Sequence, residues 1–208
     1  METNKSKTLY LWDLADTLFG ERWDVEKTGL ADYDAYIESL GYNLKTIDAK
    51  TYEENYERLF KDGLMELSIL PGFIQTLSWT KHNAAFTTGT PEQIGWRAEV
   101  FLKKGLPDIR PFFENIYTTF DYGNTNQKTT AMLLDILNKV RTDGYEAVVY
   151  SDNKLQNCIE FKNAAGQIPK INHRLYHIKA GSQFKQIDSN FFEAPDLLEL
   201  LRNEQNQV

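Results

Sequence analysis

The stretch LYLWDLADTLF, residues 9–19, decides the fold. Leu9–Trp12 is a short apolar run of the length of a buried strand, and it stops abruptly at an acid, Asp13. Similar runs recur further along the chain, at Ala84–Phe86, Ile116–Tyr117, Ala147–Tyr150 and Leu175–Ile178. Between them lie segments with helical spacing: Glu92–Leu106, Lys128–Val140, Leu155–Ala165 and Ala194–Leu201. Pro91 opens the first of these and Pro195 stands near the first turn of the last. Strand and helix in alternation predict a parallel sheet with helices on both faces, and such sheets bind ligands beyond the carboxyl ends of their strands. Polar residues stand at those ends: Asp13 after the first run, Thr87 and Thr88 after the second, Ser151 and Asp152 after the fourth.

One segment breaks the alternation. Residues 20–70 hold two amphipathic patterns, near Ala31–Leu40 and Tyr52–Leu67, with no convincing strand, and read as an inserted helical cap. The Leu70-Pro71-Gly72 turn returns the chain to the core, where Phe73–Trp79 begins the next helix. The expected division is therefore 1–19 with 71–208 as the core and 20–70 as the cap, within what 208 residues can bury. The last residues, NEQNQV, are expected to fray.

Composition narrows the partners. A formal charge of −7 without a basic cluster argues against nucleic acid and for a small-molecule ligand. The single cysteine, Cys158, leaves no disulfide framework and no zinc-ligand spacing, which suits a reducing compartment such as the cytoplasm. The polar start METNKSK, without a long apolar stretch behind it, predicts neither a signal peptide nor a membrane span. Trp12, Trp79, Trp96, Phe112 and Phe113 sit where sheet and helices should pack, and His82, His173 and His177 fall outside the polar strand ends.

LYLWDLADTLF resembles the first motif of the haloacid dehalogenase superfamily, a hydrophobic strand followed by D-x-D-G-T-L, with Asp13, Thr17 and Leu18 in register. AAFTTGTPEQ resembles the second motif, a strand ending in Thr, at Thr87 with Thr88-Gly89 behind it. Lys128 in NQKTTAMLLDIL matches the third, a Lys near a helix start. EAVVYSDNKLQNCIEFKNAAG resembles the fourth, with Asp152 as its first acid and Asn157 at the place of the second. Four motifs in order cover roughly residues 7–166.

The resemblance implies an α/β fold, a three-layer Rossmann-like parallel sheet flanked by helices, with a small α-helical cap inserted after the first strand. It implies Asp13 as a nucleophile forming an aspartyl-phosphate, Thr87 and Thr88 as phosphoryl donors, and Lys128 as the charge that lets an anionic substrate approach a carboxylate. It implies Mg²⁺ held by Asp13, the Ala15 carbonyl and Asp152, hence a magnesium-dependent hydrolase of a small phosphorylated or phosphonate compound. Two residues depart from the pattern. Ala15 replaces the aspartate that serves as acid and base, a group typically worth about 10²–10⁴-fold in rate. Asp16 follows it; reaching the site in place of the missing acid requires a reshaped turn, and helix capping or turn stabilisation is its expected role. Ala15 also occurs in the phosphonoacetaldehyde hydrolase branch, where a cap lysine forms a Schiff base; Lys27, Lys45, Lys50 and Lys61 are the residues available. Asn157 lowers the negative charge near the implied metal. The alternative reading is an impaired relative that binds a phosphorylated ligand or a protein partner without turnover.

Overall fold

The structure is a computed structural model and describes residues 7–123 and 127–207; the expectations for the first six residues lie outside them. The chain starts with β1 (Thr8–Trp12) and β2 (Phe19–Trp23), then α1 (Val25–Thr28), α2 (Tyr33–Ser39), α3 (Ala49–Lys61) and β3 (Met65–Ile69). It continues through α4 (Phe73–Trp79), β4 (Asn83–Thr87), α5 (Gln93–Lys103), β5 (Asn115–Thr118), α6 (Thr130–Thr142), β6 (Ala147–Asp152) and α7 (Leu155–Ala165). It ends with β7 (Asn172–Ile178), β8 (Lys185–Asp188), β9 (Phe191–Ala194) and α8 (Leu197–Asn206).

The main sheet has the order β5-β4-β1-β6-β7-β9-β8, parallel except for β8 against β9. Because side chains alternate along a strand, each central strand feeds two cores. Tyr10, Trp12, Val149 and Tyr176 pack with α4, α5 and α8 on one face, whereas Leu9, Leu11, Val148 and Tyr150 pack with α6 and α7 on the other. The result is a three-layer α/β fold, as the alternation of strand and helix predicts. Side-chain caps define where several helices begin: Thr129 accepts from the Met132 N–H before α6, and Asp196 from the Glu199 N–H before α8. Gly72, at φ 84°, turns the chain into α4 where a Cβ would come within 2.7 Å of Leu198 on α8.

Four expectations need correction. Residues 20–70 do contain strands: β2 and β3 pair antiparallel from Phe19↔Ile69 to Trp23↔Met65 and carry α1–α3 between them. The second cap helix ends at Lys61, because Met65 and Leu67 alternate with exposed Glu66 and Ser68, the period of a strand. The last helix starts at Leu197; Ala194 closes β9, and Pro195 precedes the Asp196 cap. The NEQNQV segment is not frayed through Asn206, since it continues α8 and Glu204 is fully buried. The cap helices bury their own cluster of Tyr33, Ile37, Ile47 and Leu59 with Met65.

Candidate functional site

Asp13 lies immediately past β1, and the following residues form a tight turn: the Leu18 and Phe19 N–H groups both donate to the Leu14 carbonyl. Asp16 adopts φ 55°, the left-handed conformation for which Gly is the easier residue. Its exposed carboxylate accepts from the Glu21 N–H at 3.3 Å, which ties the turn to β2. Thr17 is buried and its hydroxyl donates to Asp13 Oδ2 at 3.0 Å. Ala15 bridges to Phe19 and brings no ionisable group.

Lys128 precedes α6 by two residues. Its Nζ donates to Asp13 Oδ1 at 2.6 Å and to Asp152 Oδ2 at 2.8 Å, so one ammonium bridges carboxylates from adjacent strands. All three side chains are nearly excluded from water, at 1%, 12% and 0% exposure for Lys128, Asp13 and Asp152. Such burial is tolerable only because the charges are paired. Burial, then the Asp152 carboxylate, pushes the Asp13 carboxyl up to about 6, against the opposing pull of Lys128 and Thr17. Burial disfavours the Lys128 ammonium, but Asp13 and Asp152 outweigh it and hold its pKa above the ordinary value.

Asp152 is enclosed by donors. Oδ2 accepts from Lys128 and from the Tyr150 hydroxyl at 2.6 Å, while Oδ1 accepts from the Lys154 N–H at 2.8 Å. Asn157 Nδ2 reaches both oxygens, at 3.1 and 3.0 Å. Burial and the two carboxylates push the Tyr150 phenol well above its usual value, so it keeps its proton and remains a donor. A carboxylate offers about four lone-pair sites, and here they are taken. The Mg²⁺ set implied by the family, Asp13, Ala15 and Asp152, therefore does not fit: Asp13 retains acceptor capacity, but Asp152 presents none to a cation. Among the described residues no group of three His, Cys, Asp or Glu side chains is placed to hold a metal.

Thr87 ends β4, beside β1, and its hydroxyl accepts from the Gly89 N–H at 3.3 Å. Half-buried Thr88 faces a cleft of about 630 Å³ between core and cap that is also lined by Gln127, Tyr52, Phe120 and Lys45. Of the four cap lysines, Lys45 is the one on this cleft; Lys27, Lys50 and Lys61 pair with Asp24, Glu54 and Glu57 on their own surfaces. The cap is fastened to the core by buried acids. Glu53 on α3 accepts from the Thr90 N–H and hydroxyl and from the Trp96 indole, and Glu21 on β2 accepts from buried Arg97 and from the Tyr56 hydroxyl.

Sequence reasoning does not single out Tyr150, Glu53, Glu21 or Arg97. Tyr150 carries a usable signal, because it stands two residues before Asp152 and so shares its face of β6. The histidines remain away from the Asp13–Lys128 contact, although His177 is in register with Asp152 on β7 and its ring nitrogen lies 3.1 Å from the Asn153 carbonyl. Cys158 is buried and burial pushes its thiol up, the opposite of an activated nucleophile.

The parallel α/β core with an insertion directly after the first strand is the fold of haloacid dehalogenase-like proteins. A haloacid dehalogenase-like family hydrolase from Xanthomonas campestris shares it with TM-score 0.51 and 13% identity, covering 98% of this chain and 99% of that one. A HAD-family enzyme from Bacteroides thetaiotaomicron, solved as a magnesium complex, is similar at TM-score 0.51 and 13% identity over 86% of this chain and 96% of that one. No protein-family model and no curated protein matches the sequence.

Proposed function

We propose that this chain is a hydrolase in which Asp13 attacks a small phosphorylated or phosphonate compound at the carboxyl ends of the central strands. The observation that carries this reading is the Lys128 ammonium set between Asp13 and Asp152. A carboxylate repels an anionic substrate, and a fixed, buried cation beside it offsets that repulsion more effectively than an exposed one. In the first step an Asp13 oxygen forms a bond to phosphorus while the bond to the leaving group breaks and its electrons go to the departing atom. In the second, water attacks the phosphorus, the Asp13–phosphorus bond breaks, and phosphate leaves with the carboxylate restored. Thr87 and Thr88 supply hydroxyl and backbone donors at the neighbouring strand end. Because Ala15 supplies no proton, substrates whose leaving group departs as a stable anion are turned over fastest. Magnesium has no role in this reading, since Asp152 offers it no free acceptor. A cytoplasmic setting belongs to the same proposal, supported by the single buried thiol, and so does a small phosphorylated molecule, not a nucleic acid or a membrane, as the partner.

The test is phosphate release from a panel of phosphate esters and phosphonates with wild type, Asp13→Asn and Ala15→Asp. Activity in wild type that disappears in Asp13→Asn supports the hydrolase. Silence in wild type with activity appearing in Ala15→Asp sinks it and favours the alternative, a protein that binds a phosphorylated ligand without turnover.

A further inference from the structure

We infer that the Asp13–Asp152 centre operates without a divalent cation, the Lys128 ammonium standing between the carboxylates while Tyr150, Asn157 and the Lys154 N–H close the remaining acceptors of Asp152. The inference rests on reading this centre as the working site. Three observations carry it. First, Asp152 is completely buried and both its oxygens accept from protein donors, so an incoming cation has to displace one of them. Second, the donors are held in place. The Tyr150 ring stacks on Phe161 at 4.6 Å and 7°, and Lys128 is 1% exposed, so neither has solvent to retreat into. Third, Asn157 can face a carboxylate in one orientation, amide nitrogen first, because its oxygen would meet Asp152 with like partial charge. A residue at the place of an outer acid thus becomes a donor to Asp152. Magnesium requires near-octahedral oxygen ligands at about 2.0–2.1 Å and gives up water reluctantly. Against a saturated Asp152 and an adjacent ammonium it gains neither a second carboxylate ligand nor charge balance.

The experiment measures metal binding, not turnover. Chelator-stripped full-length protein is titrated with Mg²⁺ and Mn²⁺, following heat, the Mn²⁺ paramagnetic resonance signal and Tm, for wild type, Asn157→Asp and the Tyr150→Phe/Asn157→Asp double variant. Wild type is expected to show no saturable binding and no Tm shift. The double variant, with two donors removed and one charge added, is expected to bind and to gain about 5–10 °C at a hundred times its Kd. Saturable binding to wild type that is lost in Asp152→Asn overturns the inference. Absence of binding in both variants, each shown folded by circular dichroism, overturns the assignment of Tyr150 and Asn157 as the closing donors. A metal-free wild type that also releases no phosphate from any substrate counts against the hydrolase reading and leaves the exclusion of metal standing.

Discussion

At Lys128 two large effects oppose each other. Taking an ammonium out of water is costly, and the attraction of two carboxylates within 2.8 Å offsets that cost. Removing the ammonium leaves Asp13 and Asp152 facing each other with no intervening charge. Lys128→Met should therefore lose about 3–5 kcal/mol of stability at neutral pH, the usual consequence of breaking a buried pair. Urea unfolding of wild type and variant reads this directly, and equal stabilities would show that the bridge contributes little. Asp13, Lys128 and Asp152 are legible in the sequence because each stands where an apolar run ends or a helix begins. What surrounds them is not. A Tyr inside the run AVVY looks like core, and the run alone does not reveal that its hydroxyl reaches the acid two residues on. Asn157 is legible as a departure from an expected acid, yet its role as a donor to Asp152 depends on how α7 is set against β6.

Among the elements, the central strands and α4, α5, α6 and α7 follow from apolar runs and helical spacing within a few residues. β2 and β3 are hidden because five-residue patterns such as MELSI sit beside a helix whose own spacing overlaps theirs. Where the cap docks is not readable from local pattern at all, since Glu53 finds Thr90 and Trp96 across 37 and 43 residues of chain. This contact makes docking depend on pH. Burial pushes the Glu53 carboxyl above its ordinary 4.5, against Arg97 and the Trp96 and Thr90 donors. A raised folded pKa means that the folded state keeps the proton after the unfolded chain has released it. The contribution is therefore complete below the ordinary value and is lost as pH rises through the folded one. Glu53→Gln stays neutral throughout and removes that dependence. Wild type should gain stability relative to Glu53→Gln on going from about pH 7 to about pH 4, as measured by Tm. A difference that stays flat, or that changes in the opposite direction, would show that its donors hold Glu53 as a stable anion.

On the scale of the whole molecule, the last helix is joined to the first strand through one acid. Glu204 on α8 is fully buried; it accepts from Tyr10 on β1 at 3.1 Å, from Tyr176 on β7 at 2.7 Å, and from Arg174 through two bonds of 2.7 and 2.6 Å. Asn203 extends the network to the Tyr176 hydroxyl at 2.6 Å. Two sheet strands and a helix 194 residues from the first contact thus share one carboxylate, which explains why a polar C-terminal segment forms an ordered helix where its composition suggests fraying. Cutting the carboxylate away leaves the Arg174 guanidinium and two phenols without their acceptor beneath α8. Glu204→Ala should cost about 3–5 kcal/mol, and for a chain of this size that lowers Tm by roughly 6–20 °C. Because the network spans β1, β7 and α8, the loss should appear as a single earlier transition with an unchanged urea m-value, not as local fraying of α8 ahead of the rest. A separate low-temperature loss of helix, with the main transition unmoved, would mean that α8 is an appendage to the sheet and that Glu204 serves its own helix alone.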